Sequence, residues 1–600
     1  GERHTTSSPL SAAYARRSDP RQQALRIAYF CWHFPVPSET FVLNELRVLK
    51  ELGHELHVFC RQSPYPGFKP DFEVPYSRVS TTEELAQALR DFRADIAHGH
   101  FVYPTVTDFL WPAAEQAGID FTFIAHAQDI FKYSNAAKNR VAEIGRSPRC
   151  LKVFTLSRFH RDFLEQQGVP RERLAINSNG VDPDLFRMPA GEPRSRKSIF
   201  SVGRFVEKKG LTNLVEAAQH LDVLGIDIYL YGYGEAEDEL RAQAKSSGAK
   251  NVVFAGRIAN RTELLNAFAR HDLCICPAVR TPDGDMDGIP TVLMEAMAAG
   301  VPVMATNLSG IPDLVIDEVT GFHCGAQPQE IAAAVERFFT LSPGRVARTI
   351  DAARSHVCAH YDVKKLVDNM LRIWLHETID VVIVSWNNLP ELKEVVERLL
   401  KYTTFPYRLL ICDNRSEPGV IAYLRELERL HSHVLVRYSA SNDMVGPGTN
   451  VAMAAGSSAF AVYVCGKEGF ALDFNWEHPF YYGLRDNPQA ALAGTLCYSP
   501  SYLSGRDLAA NNKRFSSFRN QDFALRNPDR EFLHIQGGLF GMRRAAIESV
   551  GGFSNDVPHE GTDVEMSYVL ESQGWSLLPI TGMLALYNKT RPDITARVDE

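Results

Sequence analysis

The stretch Ser198-Ile199-Phe200-Ser201-Val202-Gly203-Arg204-Phe205-Val206-Glu207-Lys208-Lys209-Gly210 decides the architecture. A short apolar run ends in a glycine turn, and a basic segment then opens a helical pattern. In a parallel, doubly wound sheet this is the crossing from strand to helix, and ligands collect at that edge. Backbone N–H groups, a helix N-terminus and two cationic side chains meet there, a combination that suits a diphosphate. The same letters also describe a tight turn with a solvated basic tip.

The strand-helix rhythm continues to either side. Downstream, strands are expected at Asp227–Tyr231, Asn251–Ala255, Leu273–Cys276 and Val301–Ala305, with long helices to about Leu375. Upstream, they are expected at Arg26–Cys31, Glu55–Cys60, Asp95–His98, Phe121–His126 and Lys152–Ser157. Ser38 can cap a helix with Val42, Leu46 and Leu49 on its apolar face, stopped by Gly53. Pro189–Lys197 is rich in Gly, Pro, Arg and Ser and reads as a hinge. A third series begins at Asp380–Ser385 and runs through Tyr407–Asp413, Val434–Tyr438 and Phe460–Cys465. The expected class is α/β throughout. A disordered polar arm at 1–23 precedes domains at 24–190, 191–375 and 379–600.

Length and composition agree. At about 150 residues per domain, 600 residues give roughly four domains, and three larger ones fit equally well. With 45% apolar and 23% charged residues, the chain can bury several cores, which excludes collagen-like and small disulfide-scaffold readings. A net charge of −8 argues against a dedicated nucleic-acid binder. The ten cysteines are scattered, and Cys274-x-Cys276 has no second Cys/His pair at zinc spacing, so a reducing cytoplasm is the simpler setting. No apolar window approaches the 18 or so residues of a bilayer span. The arm around Arg16, Arg17 and Arg21 offers weak attraction to anionic headgroups, a route to peripheral contact with the inner membrane face.

Three further clusters carry chemistry in 24–375. Asp285-Met286-Asp287-Gly288-Ile289-Pro290 enters an apolar helix that holds an early carboxylate, Glu295. A buried charge of that kind is costly unless paired or bound to ligand hydroxyls, although a helix N-terminus also tolerates an acid. Phe123-Ile124-Ala125-His126-Ala127-Gln128-Asp129 is a strand that ends in His and Asp at the ligand edge. His33-Phe34-Pro35-Val36-Pro37-Ser38-Glu39-Thr40 is the loop after the first strand.

Together these clusters resemble the retaining GT-B glycosyltransferases that carry the E-x7-E signature, over nearly all of 24–375. The resemblance implies two Rossmann-like domains facing a cleft. It places Gly203, Arg204 and Lys209 on the donor diphosphate, Glu295 on the donor ribose and Asp287 on the sugar hydroxyls. His126 would stand near the reacting sugar. The first acid of the pair is usually Glu, so Asp287 reaches one methylene less far. The implied chemistry is a front-face substitution through an oxocarbenium-like state with no metal at this site. The Pro-Ser-Glu-Thr-Phe-Val segment looks like the subgroup that builds bacterial surface polysaccharides.

Residues 379–600 resemble a different class, the inverting GT-A transferases. The matching segments are Val381-Val382-Ile383-Val384-Ser385-Trp386-Asn387-Asn388, Leu410-Ile411-Cys412-Asp413 and Asn450 within Gly446-Pro447-Gly448-Thr449-Asn450. Gly551-Gly552-Phe553 with Thr562-Asp563-Val564-Glu565 completes the set. The resemblance implies Ser385, Asp413 and Asn450 at the donor and Asp563 as catalytic base. Where that class has its D-x-D metal carboxylates, this chain reads Cys465-Gly466-Lys467-Glu468. Tyr587-Asn588-Lys589 stands where a ligating His is common. A lysine beside the diphosphate opposes a divalent cation. Either Lys467 stands in for the metal and neutralises the diphosphate directly, with Glu468 the remaining acid at the donor, or the domain has lost catalysis and kept binding.

The expected activity is a bifunctional, nucleotide-sugar-dependent hexosyltransfer, with one retaining and one inverting site. Donors would be UDP- or GDP-sugars and the acceptor a glycan or lipid-linked glycan. The alternative is a single GT-B activity with a glycan- or partner-binding module.

Overall fold

The computed structural model describes residues 24–580, apart from 38, 63, 67, 71, 134–135, 189–196, 467–471, 473–475, 498–502, 507–514 and 558–560. Lys467, Glu468, Tyr587, Asn588 and Lys589, the arm at 1–23, the Ser38 cap and most of the Pro189–Lys197 hinge therefore lie outside the described residues. Contacts divide the chain into one unit over Gln23–Trp374 and another centred on Leu375–Glu600.

The first unit holds two parallel sheets. One comprises β1 (Arg26–His33), β2 (Glu55–Gln62), β3 (Tyr76–Arg78), β4 (Ile96–His100), β5 (Phe121–Ala125), β6 (Cys150–Thr155) and β7 (Leu174–Ile176), in the order β3-β2-β1-β4-β5-β6-β7. The second comprises β8 (Lys197–Arg204), β9 (Ile226–Tyr233), β10 (Val252–Gly256), β11 (Leu273–Cys276), β12 (Val303–Thr306) and β13 (Phe322–Cys324), in the order β10-β9-β8-β11-β12-β13. In each, the order reverses beside the first strand, which opens a crevice at the carboxyl ends of the strands. The central strands are apolar runs buried on both faces, as parallel sheets under helices require. All of β4, β5, β11 and β12 is buried.

The helix Thr40–Glu51 crosses from β1 to β2, and its buried face includes Val42, Leu46 and Leu49. Its N-cap is Glu39, whose side chain makes no capping hydrogen bond. The last helix of the unit, Val363–Trp374, returns to the first half. It packs against Thr40–Glu51, and the Trp374 indole N–H donates to Thr122 Oγ1 at 2.9 Å. The first half is thus completed by the end of the second. Arg158 and Asp313 join the halves again through an ion pair at 2.8 Å.

The second unit carries a mixed sheet. Its strands are β14 (Ile379–Ser385), β15 (Tyr407–Asp413), β16 (Val434–Tyr438), β17 (Phe460–Val464), β18 (Ala490–Cys497), β21 (His534–Arg543) and β22 (Ser576–Pro579). They run in the order β16-β15-β14-β17-β21-β18-β22, with β21 antiparallel to both neighbours. The short pair β19 (Leu503–Ser504) and β20 (Glu531–Phe532) stands apart. Asp380 at the start of β14 is fully buried and is paired by Arg408 at 2.9 Å and Arg544 at 2.6 Å. A charge that deep persists because both partners and Ser458 satisfy it.

Among the described residues every cysteine is free, and no helix is long and apolar enough to cross a membrane.

Candidate active site

A cavity of about 600 Å³ opens between the two halves of the first unit. From the first half Asn44, Arg47 and Lys69 line it, and from the second Gly203, Arg204, Arg257 and Glu295. Glu295 sits on the helix Thr291–Ala299, whose other side chains beyond the first turn are buried and apolar. Burial raises its carboxyl from 4.5 to about 7. A carboxylate held in that condition gains from any ligand hydroxyl that donates to it.

Lys209 and Asp287 lie outside the lining of that cavity, and they bind each other. Nζ of Lys209 is 2.6 Å from Asp287 Oδ2, and the neighbouring Lys208 is 3.1 Å from Asp285. Burial works against the Lys209 charge, yet Asp287 outweighs it and the pKa is raised. The groups expected on the diphosphate and on the sugar hydroxyls thus form a coupled pair that joins the basic turn to the Asp-Gly-Ile-Pro turn. Gly210 fixes this geometry. It has φ +64, and a Cβ there would stand 1.9 Å from the Pro277 carbonyl oxygen, so the turn lies directly on the chain leaving β11.

His126 follows β5 and is 6% exposed. Its backbone N–H donates to Asp129 Oδ2, which also accepts from Val102 N–H. Its ring stacks on Phe101 with centroids 4.1 Å apart. Burial first, then the neighbouring His100, His160 and His98, lowers its pKa well below the usual value, so the ring is neutral.

Around it lies a buried network that the sequence reading passed over. Glu45 Oε2 accepts from the Tyr29 hydroxyl and contacts His100 Nε2, both at 3.0 Å. His100 Nδ1 is 3.0 Å from His126 Nε2. His98 Nδ1 pairs with Thr122 Oγ1 at 2.8 Å, and its Nε2 has no partner among the described residues. Glu45, His98 and His100 can each present a ligand atom within 4.8 Å of the others. The available signal was Glu45 among the apolar positions of its helix, and a His-x-His pair inside a fully apolar strand pattern.

In the second unit, Ser385 and Asp413 are register partners at the carboxyl ends of adjacent parallel strands. Asp413 Oδ2 accepts from Ser416 N–H, while its Oδ1 is buried without a partner among the described residues. The Ser385 hydroxyl donates to Asn388 Oδ1. Asn450, expected near the donor, is engaged within the protein. Its amide both donates to the Phe553 carbonyl and accepts from the Phe553 N–H, each at 2.8 Å, so it clasps the Gly551-Gly552-Phe553 turn. Asp563, at the start of the helix Thr562–Ser572, accepts from Gly537 N–H at 2.9 Å. His534 stands near it, with a pKa lowered mainly by burial.

Comparison with known proteins agrees with the cleft. Residues 184–356 match the family "Glycosyl transferases group 1", and residues 38–185 match "Glycosyltransferase Family 4". The chain is 24% identical, over 56% of its own length and 95% of the relative's, to the amylovoran biosynthesis glycosyltransferase AmsK of Erwinia amylovora. It is 26% identical, over 56% of its length and 95% of the relative's, to WcaL of Escherichia coli (strain K12), a glycosyltransferase assigned to colanic acid biosynthesis. A glycosyltransferase structure from Rickettsia africae ESF-5 shares the fold at TM-score 0.50 and 16% identity, covering 58% of this chain and 97% of that one. The chain is a glycosyltransferase whose first unit has the GT-B-like pair of Rossmann folds.

Proposed function

We propose that the first unit transfers a sugar from a UDP- or GDP-sugar to a glycan acceptor during polysaccharide synthesis, with retention of configuration and without a metal. The observation that carries this is the cavity in which Gly203, Arg204 and Glu295 share one wall. The glycine edge admits a diphosphate close to backbone N–H groups. Arg204 supplies charge as the leaving group departs, an electrostatic contribution to the transition state. Lys209 lies against Gly203 and can answer the same charge while held by Asp287. Glu295 receives ribose hydroxyls, and His126 stands beside the reacting sugar. That both relatives are named for polysaccharide biosynthesis supports a glycan acceptor, free or lipid-linked.

The second unit acts, in this reading, as an inverting GT-A transferase. Asp413 meets the nucleobase through its unpartnered oxygen and Asp563 takes the acceptor proton, while the sequence carries Lys467 and Glu468 in place of the metal carboxylates. The engaged amide of Asn450 favours the second reading, a glycan-binding module. Transfer from labelled UDP- and GDP-sugars by the full chain separates them, with EDTA as a parallel arm. Two linkages, one lost in Glu295→Ala and the other in Asp563→Ala, support two sites. A single linkage that survives Asp563→Ala leaves the second unit as a binding module. Loss of one linkage in both variants rejects separate sites.

A further inference from the structure

A second cavity, of about 770 Å³, opens on the first half beside the cleft. Phe34, Leu43, Phe68, Phe72 and Val74 give it apolar walls, and the exposed Tyr76 lines it as well. Leu43, Phe68, Lys69 and Pro70 line this pocket and the cleft alike, so the two spaces meet along that wall. An apolar hollow open to water marks a place where something binds.

The side chains at the join are cationic. On the helix Thr40–Glu51, Leu43, Arg47 and Lys50 are spaced i, i+4, i+7 and share one stripe. Arg47 lines the cleft and Lys50 lines the pocket. The Arg47 guanidinium also reaches across, to 4.8 Å from the ring centre of Phe72 in the pocket wall. Lys50 donates to the Glu73 carbonyl and ties that loop to the helix. Lys69 lines both spaces and has no hydrogen-bond or ion-pair partner among the described residues. Of the acids, Glu73 lines the pocket, and Asp182, which lines the cleft, is paired with Lys364. Among the described residues, positive charge therefore predominates where the apolar walls give way to the cleft.

We propose that this pocket takes the hydrocarbon of an acceptor carried on a single-chain lipid phosphate, with the phosphate at Lys69 and Arg47 and the sugar beyond it in the cleft. The order of the surfaces sets the order of the ligand. Apolar walls come first, then the cations, then the wall of Gly203, Arg204 and Glu295. A volume suited to one drug-sized ligand holds a section of one chain, not the paired chains of a bilayer phospholipid. The binding site stands on its lining alone. That its occupant is an acceptor rests on the donor reading of the cleft.

The test is calorimetric titration of the full chain at pH 8 with dodecyl phosphate, kept below its aggregation concentration. Ethyl phosphate, dodecyl glucoside and dihexanoyl phosphatidic acid are the comparison ligands. One saturable site for dodecyl phosphate is expected. Ethyl phosphate should bind at least about 100-fold more weakly, a factor that burial of about four methylenes supplies. Dodecyl glucoside should bind about tenfold more weakly, and Lys69→Glu should remove that preference for charge. Val74→Asp, which sets a charge in the apolar wall, should weaken dodecyl phosphate about tenfold or more. Tyr76→Glu, at an exposed position, gives the same reading if Val74→Asp does not fold. The proposal is overturned by the absence of saturable binding, by equal affinity for ethyl phosphate or dodecyl glucoside, or by tighter binding of the diacyl lipid. Native affinity in the pocket variants overturns it as well. Binding to phosphatidylglycerol vesicles alone would make this surface a membrane contact and reject the pocket. Titration with UDP and GDP reads the donor side separately. Dodecyl phosphate bound by a chain that binds neither nucleotide keeps the lipid site and rejects its role for an acceptor.

Discussion

Replacing Glu295 with Gln should make the protein more stable and less active, and the gain should depend on pH. The Glu295 carboxyl is raised by burial from 4.5 to about 7. At 1.36 kcal/mol for each tenfold change in proton affinity, ionising it in the folded state costs about 3 kcal/mol. Its side chain lines an open cavity, so solvent screening brings the working figure to about 2 kcal/mol. The folded pKa lies above the unfolded one, so the folded state keeps its proton longer. The cost is absent below about pH 4.5, grows as pH rises through that range, and is complete above about pH 7. Gln carries no charge at any pH and removes it. Calorimetric unfolding of native and Glu295→Gln proteins should give nearly equal transitions at pH 5. At pH 8 the variant should be higher by on the order of 4 °C. Nucleotide affinity and transfer should fall in the same protein. A difference in unfolding temperature that does not change between pH 5 and pH 8 would refute the burial of that charge.

Other expectations concern neighbouring parts. Lys209→Met leaves Asp287, 8% exposed, without its cation. Denaturant unfolding should show a loss of about 2 kcal/mol, with nucleotide affinity reduced. The double variant Lys209→Met/Asp287→Asn should recover the stability and not the affinity. Gly210→Ala meets both a left-handed backbone and the Pro277 carbonyl, and should cost about 3 kcal/mol or more, read as loss of folded yield and unfolding temperature. Asn450→Ala removes two hydrogen bonds at 2.8 Å to Phe553. It should destabilise the Leu375–Glu600 unit by about 2 kcal/mol while the Glu295-dependent transfer rate stays unchanged. A fall in that rate would contradict the separation of the two units.

The parallel strands were the most legible part of the molecule. Leu273–Cys276, Tyr407–Asp413 and Val434–Tyr438 have the boundaries that their apolar runs and flanking turn residues indicate. Strands without such a run were not. Tyr76–Arg78 is exposed throughout, and its backbone pairing with β2 is what makes it a strand. In β21 glycines at 537, 538 and 541 blur any alternation, and pairing on both sides makes it a strand. The cavity wall of Gly203, Arg204 and Glu295 could be read because short motifs at strand ends bring their residues to one edge. The Lys209–Asp287 pair could not, since each segment alone is compatible with a ligand, and only their contact shows where the charge goes. The Glu45–His100–His126 chain depends on a helix and two strands meeting, which no local spacing encodes.

The antiparallel strand β21 has a consequence for how the second unit is made. It lies between β17 and β18 in the sheet, although both precede it in the chain. A ribosome that has finished β17 at residue 464 must add the residues up to 543 before that strand gains its second neighbour. At about 5 to 20 residues per second this takes roughly 4 to 16 s. Throughout that interval the apolar strand β17 presents an open hydrogen-bonding edge, and β18, once made, waits for both of its neighbours, β21 and β22. Chains interrupted before residue 543 should therefore be the aggregating species in the cell, and slower translation across β18 to β20 should lower the soluble yield of the whole protein.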